Sequence, residues 1–216
     1  MTSFVLASAS PRRTDLLHML GIDHEVLPTH IPEVLRPGET AEAHVERLAR
    51  EKASKGAEER PGALVLAGDT VVVLDGAVLG KPTSIEEAEA VLLRLSGRTH
   101  TVFTALALAD GGGRVHSLVD RTRVTFRPFD RAVARAYIRT GEPFDKAGSY
   151  GIQGRGAALV SGIEGDYHTV VGLPVHGLVT LLERAGWHYT FSGIEPLASV
   201  GKGSPSPPSI PHGESR

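Results

Sequence analysis

Short apolar runs alternate with segments of helical period along most of the chain, and this alternation limits the fold more than any other feature of the sequence. Phe4 to Ala7 suits a short buried strand. Arg12 to Leu20 follows as a helix, with Leu16, Leu17 and Leu20 at core spacing and Gly21 as its stop. His24 to Leu27 reads as a second strand and Pro28 to Pro37 as an irregular loop. A helix then opens at Thr40 and runs to about Gly56. Leu64 to Ala67 and Val71 to Leu74 read as strands on either side of a bend at Gly68-Asp69-Thr70, and Asp75-Gly76 signals a hairpin into Ala77 to Leu79. Ser84 caps a helix from Ile85 to Leu95, and Asp130 caps another to about Arg139. Thr101 to Leu108 and Val115 to Phe126 are strand-like around a glycine turn. So are Leu159 to Val160 and Thr169 to Val171, before a last helix from Pro174 to near Gly186. Strands and helices interleaved in this way predict an α/β fold: a single domain, residues 1–200, with a mixed, curved β-sheet flanked by helices. The segment 201–216, rich in Pro, Ser and Gly, has lost hydrophobic periodicity and is expected to be a disordered tail.

Composition narrows the chemistry. With no cysteine, the 216 residues offer no disulfide, no thiolate nucleophile and no cysteine-ligated metal. Lys+Arg 23 against Asp+Glu 25 leaves a formal charge of -2, and 5% aromatic content supplies little for base stacking, so nucleic acid is not an expected partner. No run approaches the roughly 18 to 20 apolar residues of a membrane span. Met1 to Ala7 lacks the positive region of a signal peptide, so a cytoplasmic location is expected and no membrane partner.

Four places could carry chemistry. Ser8-Ala9-Ser10-Pro11-Arg12-Arg13 puts hydroxyls, two guanidinium groups and a helix start in one loop after the first strand, which suits a phosphate and equally suits a helix with solvated arginines. Asp69, between Gly68 and Thr70, can hold a divalent cation or take a proton from water; it can also be a turn residue bonded to its own backbone. Gly80-Lys81-Pro82 is not a P-loop, since the spacing from Gly76 is one short and Pro82 replaces the hydroxyl residue, but Lys81 can meet phosphate as a point charge. The glycine-dense run Asp145 to Gly154 contains Gln153, whose amide can complement the N3–H and O4 of uracil or thymine. On residue chemistry alone Lys52 and Lys55 fit a solvated helix face and Glu33 a solvated loop. The ten histidines have no metal-ligand spacing.

Taken in order, these segments resemble the Maf family of nucleoside triphosphate pyrophosphatases, in its dTTP/UTP-hydrolysing branch. Ser8 to Arg13, Arg47-Leu48-Ala49-Arg50-Glu51-Lys52-Ala53, Gly68-Asp69-Thr70, Gly80-Lys81-Pro82, Leu95-Ser96-Gly97, Asp145 to Gly154 and Val171-Gly172-Leu173-Pro174 carry the match, from about Ser3 to Glu183. The resemblance implies hydrolysis of dTTP, UTP and modified pyrimidine nucleotides to the monophosphate and pyrophosphate, as disposal of noncanonical nucleotides. It implies that Asp69 is the proton acceptor and that Arg12, Thr70 and Gln153 contribute to substrate choice, while Glu33, Lys52 and Lys81 match polar positions of the pocket. Joined to the residue chemistry, it places the phosphates against the Ser8 to Arg13 loop, Arg13 included, with Lys52 and Lys81. A divalent cation, Mg or Mn, is then held by Asp69 and Glu33. The Asp145 to Gly154 pattern resembles the thymine/uracil-selecting branch rather than the branch preferring 7-methylated GTP. A homodimer follows only by analogy with the family. The rival reading is a regulator of cell division that senses nucleotides without hydrolysing them.

Overall fold

Strand β3 (Leu64–Leu74) is the spine of the molecule, because its alternating side chains supply both layers of the core. The computed structural model describes residues 3–197. The expected tail at 201–216 lies outside the described residues. Val65, Ala67 and Val71 of β3 face one way, against Ala105, Ala107 and Ala109 of β5 (Thr99–Ala109) and Val45, Ala49 and Ala53 of helix α2 (Ala41–Glu59). Such small side chains let α2 lie close to the sheet. Gly56 belongs to this contact, since a Cβ there would stand 2.7 Å from Val65 Cγ1, and the helix expected to end near it runs on to Glu59.

Leu64, Leu66, Val72 and Leu74 face the opposite, larger core. There they join Leu16 and Leu17 of α1 (Pro11–Met19), Leu92 and Leu95 of α3 (Ile85–Leu95), and Leu178 and Leu181 of α6 (Val175–Arg184). Helices thus cover both faces of a mixed sheet, the architecture the alternation predicts. Its strand order is β2-β1-β3-β5-β6-β7, with β1 (Phe4–Leu6), β2 (Glu25–Val26), β6 (Val115–Phe126) and β7 (Val160–Glu164). The pairs β1–β2 and β1–β3 are parallel, and the others in this sheet are antiparallel. The caps expected at Ser84 and Asp130 are present, and Thr40, where a helix was expected to open, is a third. Thr40 accepts from Ala43 N–H, Ser84 from Glu87 N–H, and Asp130 from Val133 N–H at the start of α4 (Arg131–Ile138).

One detail of register builds the cleft. On one edge β3 pairs with β1 over Leu64–Leu66 and with β4 (Ala77–Leu79) over Val72–Leu74, so the sheet forks between them. Gly68, Asp69 and Thr70 lie in that fork. The bend expected there is absent: β3 is one strand of 11 residues, because β5 pairs with it without interruption from Val65 to Val73.

Thr169 to Val171 also differ from the sequence reading. They belong to helix α5 (Tyr167–Val171), not to a strand, because Asp166 caps them by accepting from His168 and Thr169 N–H. The β-branched residues suggested a strand, and the cap overrides that propensity. A hairpin, β8 (Trp187–Tyr189) and β9 (Ile194–Pro196), completes the described chain. Among the described residues no helix is long and apolar enough to cross a membrane.

Candidate functional site

The fork in the sheet opens into a cleft of about 640 Å³, and Ser8, Arg12, Arg13, Glu33, Lys52, Asp69, Thr70, Lys81 and Gln153 all line it. Strand alternation divides the roles of Asp69 and Thr70. Asp69 shares the face of Val65 and Ala67 and looks towards α2, whereas Thr70 looks the other way, towards α1 and Gly172 at the end of α5.

On the α2 side, Lys52 donates to Asp69 Oδ1 at 2.7 Å and contacts Glu33 Oε1 at 2.5 Å. Lys52 is buried, and the Asp69 side chain is only 13% exposed, so this contact is largely shielded from water. Asp69 Oδ2 has no hydrogen-bond partner among the described residues and stays free for an incoming group. Glu33 sits on an otherwise irregular loop that three basic side chains of α2 pin down. Arg47 donates to Val34 O at 3.1 Å, Lys55 to His30 O at 2.8 Å, and Lys52 meets Glu33 itself. Lys55, which the sequence alone left as a solvated residue, therefore holds the loop in place. Burial raises the Glu33 carboxyl, but the Lys52 hydrogen bond and the charges of Lys52 and Lys81 outweigh it, and the group lies below its ordinary value.

On the α1 side, Arg13 is a buried fork whose donors reach three separate segments. Nε donates to Gly172 O at 2.8 Å, Nη1 to Ser8 Oγ at 2.9 Å and Nη2 to Thr70 Oγ1 at 3.1 Å. Desolvation lowers its pKa, and Asp69 is the leading charge that opposes this. Gly68 makes room for the guanidinium, since a Cβ there would stand 3.1 Å from Arg13 Nε and 3.0 Å from Leu106 Cδ2. Thr70 Oγ1 also pairs with Thr104 Oγ1 at 3.0 Å, and Thr104 donates to Thr169 O at 2.7 Å, so the chain of bonds continues into α5.

Cations with fewer ties stand at the mouth. Among the described residues the Arg12 side chain meets only Asp145 Oδ2, at 3.1 Å, across the opening. Lys81 is exposed and makes no hydrogen bond or ion pair among the described residues. The Gln153 amide is likewise exposed on the cleft and unpaired among the described residues. The wall between these groups is apolar, with Val72, Val102, Ala147 and Ile152 beside Tyr150. The arrangement can therefore receive an elongated ligand with an anionic end and a flat hydrogen-bonding end.

Elsewhere Asp120, Asp166 and His176 bring ligand-type atoms within 4.8 Å of one another. Thr169 already donates its hydroxyl towards both carboxylates, at 3.0 and 3.1 Å, and its N–H to Asp166 at 2.9 Å. Two more residues matter to the cleft and have no signal in motif or periodicity. Glu142 and Tyr137 lie beneath the Gln153 loop, and their importance is a matter of tertiary placement.

A match to the family described as Maf-like protein spans residues 3–185. A dTTP/UTP pyrophosphatase from Myxococcus xanthus is 55% identical over 185 residues, covering 86% of this chain and 93% of that relative. A dTTP/UTP pyrophosphatase from Symbiobacterium thermophilum is 47% identical over 187 residues, covering 87% and 96%. Among solved structures, a nucleoside-triphosphatase / dITP/XTP pyrophosphatase from Mycobacterium abscessus has a TM-score of 0.39 and 20% identity over 58% of this chain and 74% of its own.

Proposed function

Since the chain belongs to the Maf-like protein family, we propose that it is a nucleoside triphosphate pyrophosphatase that hydrolyses dTTP and UTP to the monophosphate and pyrophosphate. The observation that carries this reading is the placement of a carboxylate, Asp69, with one oxygen free among the described residues, in a cleft that also presents Lys81 and Gln153, both without a partner among those residues. The names of the relatives at 55% and 47% identity support the same activity.

In this reading the triphosphate lies along the Ser8 to Arg12 loop, with Arg12 released from Asp145 and Lys81 meeting phosphate oxygens. Lys52 fixes Asp69 through Oδ1, which leaves Oδ2 to orient a water and take its proton as that water attacks the α-phosphorus. Pyrophosphate leaves, and no covalent enzyme intermediate forms. Arg13 acts from behind, holding Ser8, Thr70 and Gly172 in register so that the loop and the strand keep their spacing. Gln153 reads the base edge by its carbonyl and amide groups.

The carboxylates of Asp69 and Glu33 come from different segments and converge on one cationic point, Lys52 Nζ. The second oxygens of these two carboxylates, which Lys52 leaves open, are hard donors that suit Mg or Mn, and they would hold it beside Lys52. The chemistry such a cation supplies when bound is neutralisation of phosphate charge. Among modified substrates, 5-substituted uracils fit the same amide contact, because the N3–H and O4 edge is unchanged.

The test is pyrophosphate release from UTP, dTTP, CTP, GTP, 7-methyl-GTP and 5-substituted UTP, with Mg, Mn or EDTA. Metal-dependent release favouring UTP and dTTP is expected. Binding of these nucleotides without release would overturn the enzymatic reading in favour of a sensor.

A further inference from the structure

We infer that Glu142 is a positioning residue for base recognition, holding the loop that carries Gln153 and so deciding where the Gln153 amide stands in the cleft. The inference rests on Gln153 being the group that reads the base.

Gln153 makes no side-chain hydrogen bond among the described residues, so its location depends on its backbone. That backbone is gathered around one carboxylate. On the far side of Gln153, Arg155 N–H donates to Glu142 Oε2 at 2.8 Å and Gly156 N–H donates to Oε1 at 3.0 Å. On the near side, Gly151 N–H donates to the Tyr137 hydroxyl at 3.0 Å, and that hydroxyl donates to Glu142 Oε1 at 2.8 Å. Both flanks of Gln153 are thus tied to Glu142, directly or through one hydroxyl. Lys146 donates to the Glu142 carbonyl at 2.8 Å, which links the same residue to the Asp145 segment facing Arg12.

The wrapping explains why the loop is built of glycine. A Cβ on Gly154 would stand 2.5 Å from Glu142 Oε2, one on Gly151 3.0 Å from Oε1, and one on Gly156 2.7 Å from the Tyr137 hydroxyl. Side chains at these positions would push the loop off the carboxylate. Burial raises the Glu142 carboxyl, but hydrogen bonds from Gly156, Tyr137 and Arg155 more than offset that, so the group lies below its ordinary value and is an anion at neutral pH. An anion accepts all three donors at once, while an amide at the same place would turn an NH2 towards a backbone N–H.

The experiment measures kcat and KM for UTP, dTTP and CTP in the wild type, Glu142→Gln, Tyr137→Phe, Gln153→Ala and the double variant Glu142→Gln/Gln153→Ala. Glu142→Gln is expected to narrow the preference for UTP over CTP by up to about tenfold, the worth of one good hydrogen bond, and to do so mainly through KM. Tyr137→Phe, which keeps the carboxylate but cuts the Gly151 link, should narrow it in the same direction and covers the case in which Glu142→Gln does not fold. The double variant should discriminate no less than Gln153→Ala alone, because Glu142 acts through Gln153. Wild-type base ratios in folded Glu142→Gln and Tyr137→Phe, with altered ratios in Gln153→Ala, would overturn the inference and leave the base reading standing. Unchanged ratios in Gln153→Ala would remove the base reading itself.

Discussion

Arg13→Lys separates a residue that builds the site from one that binds its ligand. Arg13 is 9% exposed, and its guanidinium donors span Gly172 O, Ser8 Oγ and Thr70 Oγ1 at 2.8 to 3.1 Å. A lysine keeps the charge but has a single nitrogen, which cannot reach acceptors arranged around a planar fork. At least one acceptor loses its partner, and a hydrogen bond to a charged group is worth about 1.5 to 3 kcal/mol. The remaining ammonium is also more strongly hydrated in the unfolded chain, which adds to its burial cost. A loss of about 3 kcal/mol is therefore expected, a large part of the 5 to 15 kcal/mol typical of folded domains. For a domain of this size it corresponds to a fall in Tm of about 6 to 12 °C. Urea unfolding followed by far-UV circular dichroism gives the stability, and steady-state kinetics on UTP gives kcat and KM. A structural role for Arg13 requires the stability loss, with kcat falling as the Ser8 loop shifts. A change below about 0.5 kcal/mol accompanied by a large rise in KM would refute it and assign Arg13 directly to substrate binding.

Asp69→Asn should lower turnover by about 10² to 10⁴ while UTP binding, followed by calorimetry, persists; near-normal turnover by the folded variant would remove Asp69 from proton transfer. Gln153→Ala should weaken discrimination among UTP, dTTP and CTP more than it alters metal dependence, and equal relative rates would contradict its base contact. Burial lowers the His100 pKa to about 4. This ring is 2% exposed, bonded to the Tyr150 hydroxyl at 2.9 Å and packed against Phe126. Between pH 6.5 and 4 the unfolded chain binds a proton that the folded one does not, so this contribution is complete above pH 6.5 and is lost as pH falls towards 4. The loss is about 3 kcal/mol in all. Unfolding free energies of wild type and His100→Gln over that range should differ in slope, and parallel curves would refute the assignment.

Local signals made much of this protein readable in its sequence. Caps at Ser84 and Asp130, and apolar spacing in α1 and α2, act within a few residues, and the structure repeats them. The loop chemistry of Ser8 to Arg13, Asp69, Lys81 and Gln153 was legible for the same reason, since each side chain carries its donors or charge wherever the backbone goes. Local reading failed where distant partners decide. Thr169 to Val171 are a different case: they read as a strand although the Asp166 cap that makes them helical lies only three residues away and could have been used. The bend at Gly68 to Thr70 disappeared because Thr104 to Leu106 of β5, about 35 residues further on, pair straight through it.

What the sequence by itself determined is the alternation of elements, hence the α/β class, and the stock of chemical groups. Tertiary structure alone decided the fork between β1 and β4, which places Asp69 against Lys52 on one face of the sheet and Thr70 against Arg13 on the other. It also decided that Glu142, ordinary in sequence, gathers the Gln153 loop. The physical reason is separation along the chain. Hydrogen bonds within a turn or cap are specified by neighbours, whereas contacts such as Arg13 to Gly172, 159 residues apart, exist only after the sheet and its covering helices have buried the apolar faces that bring them together.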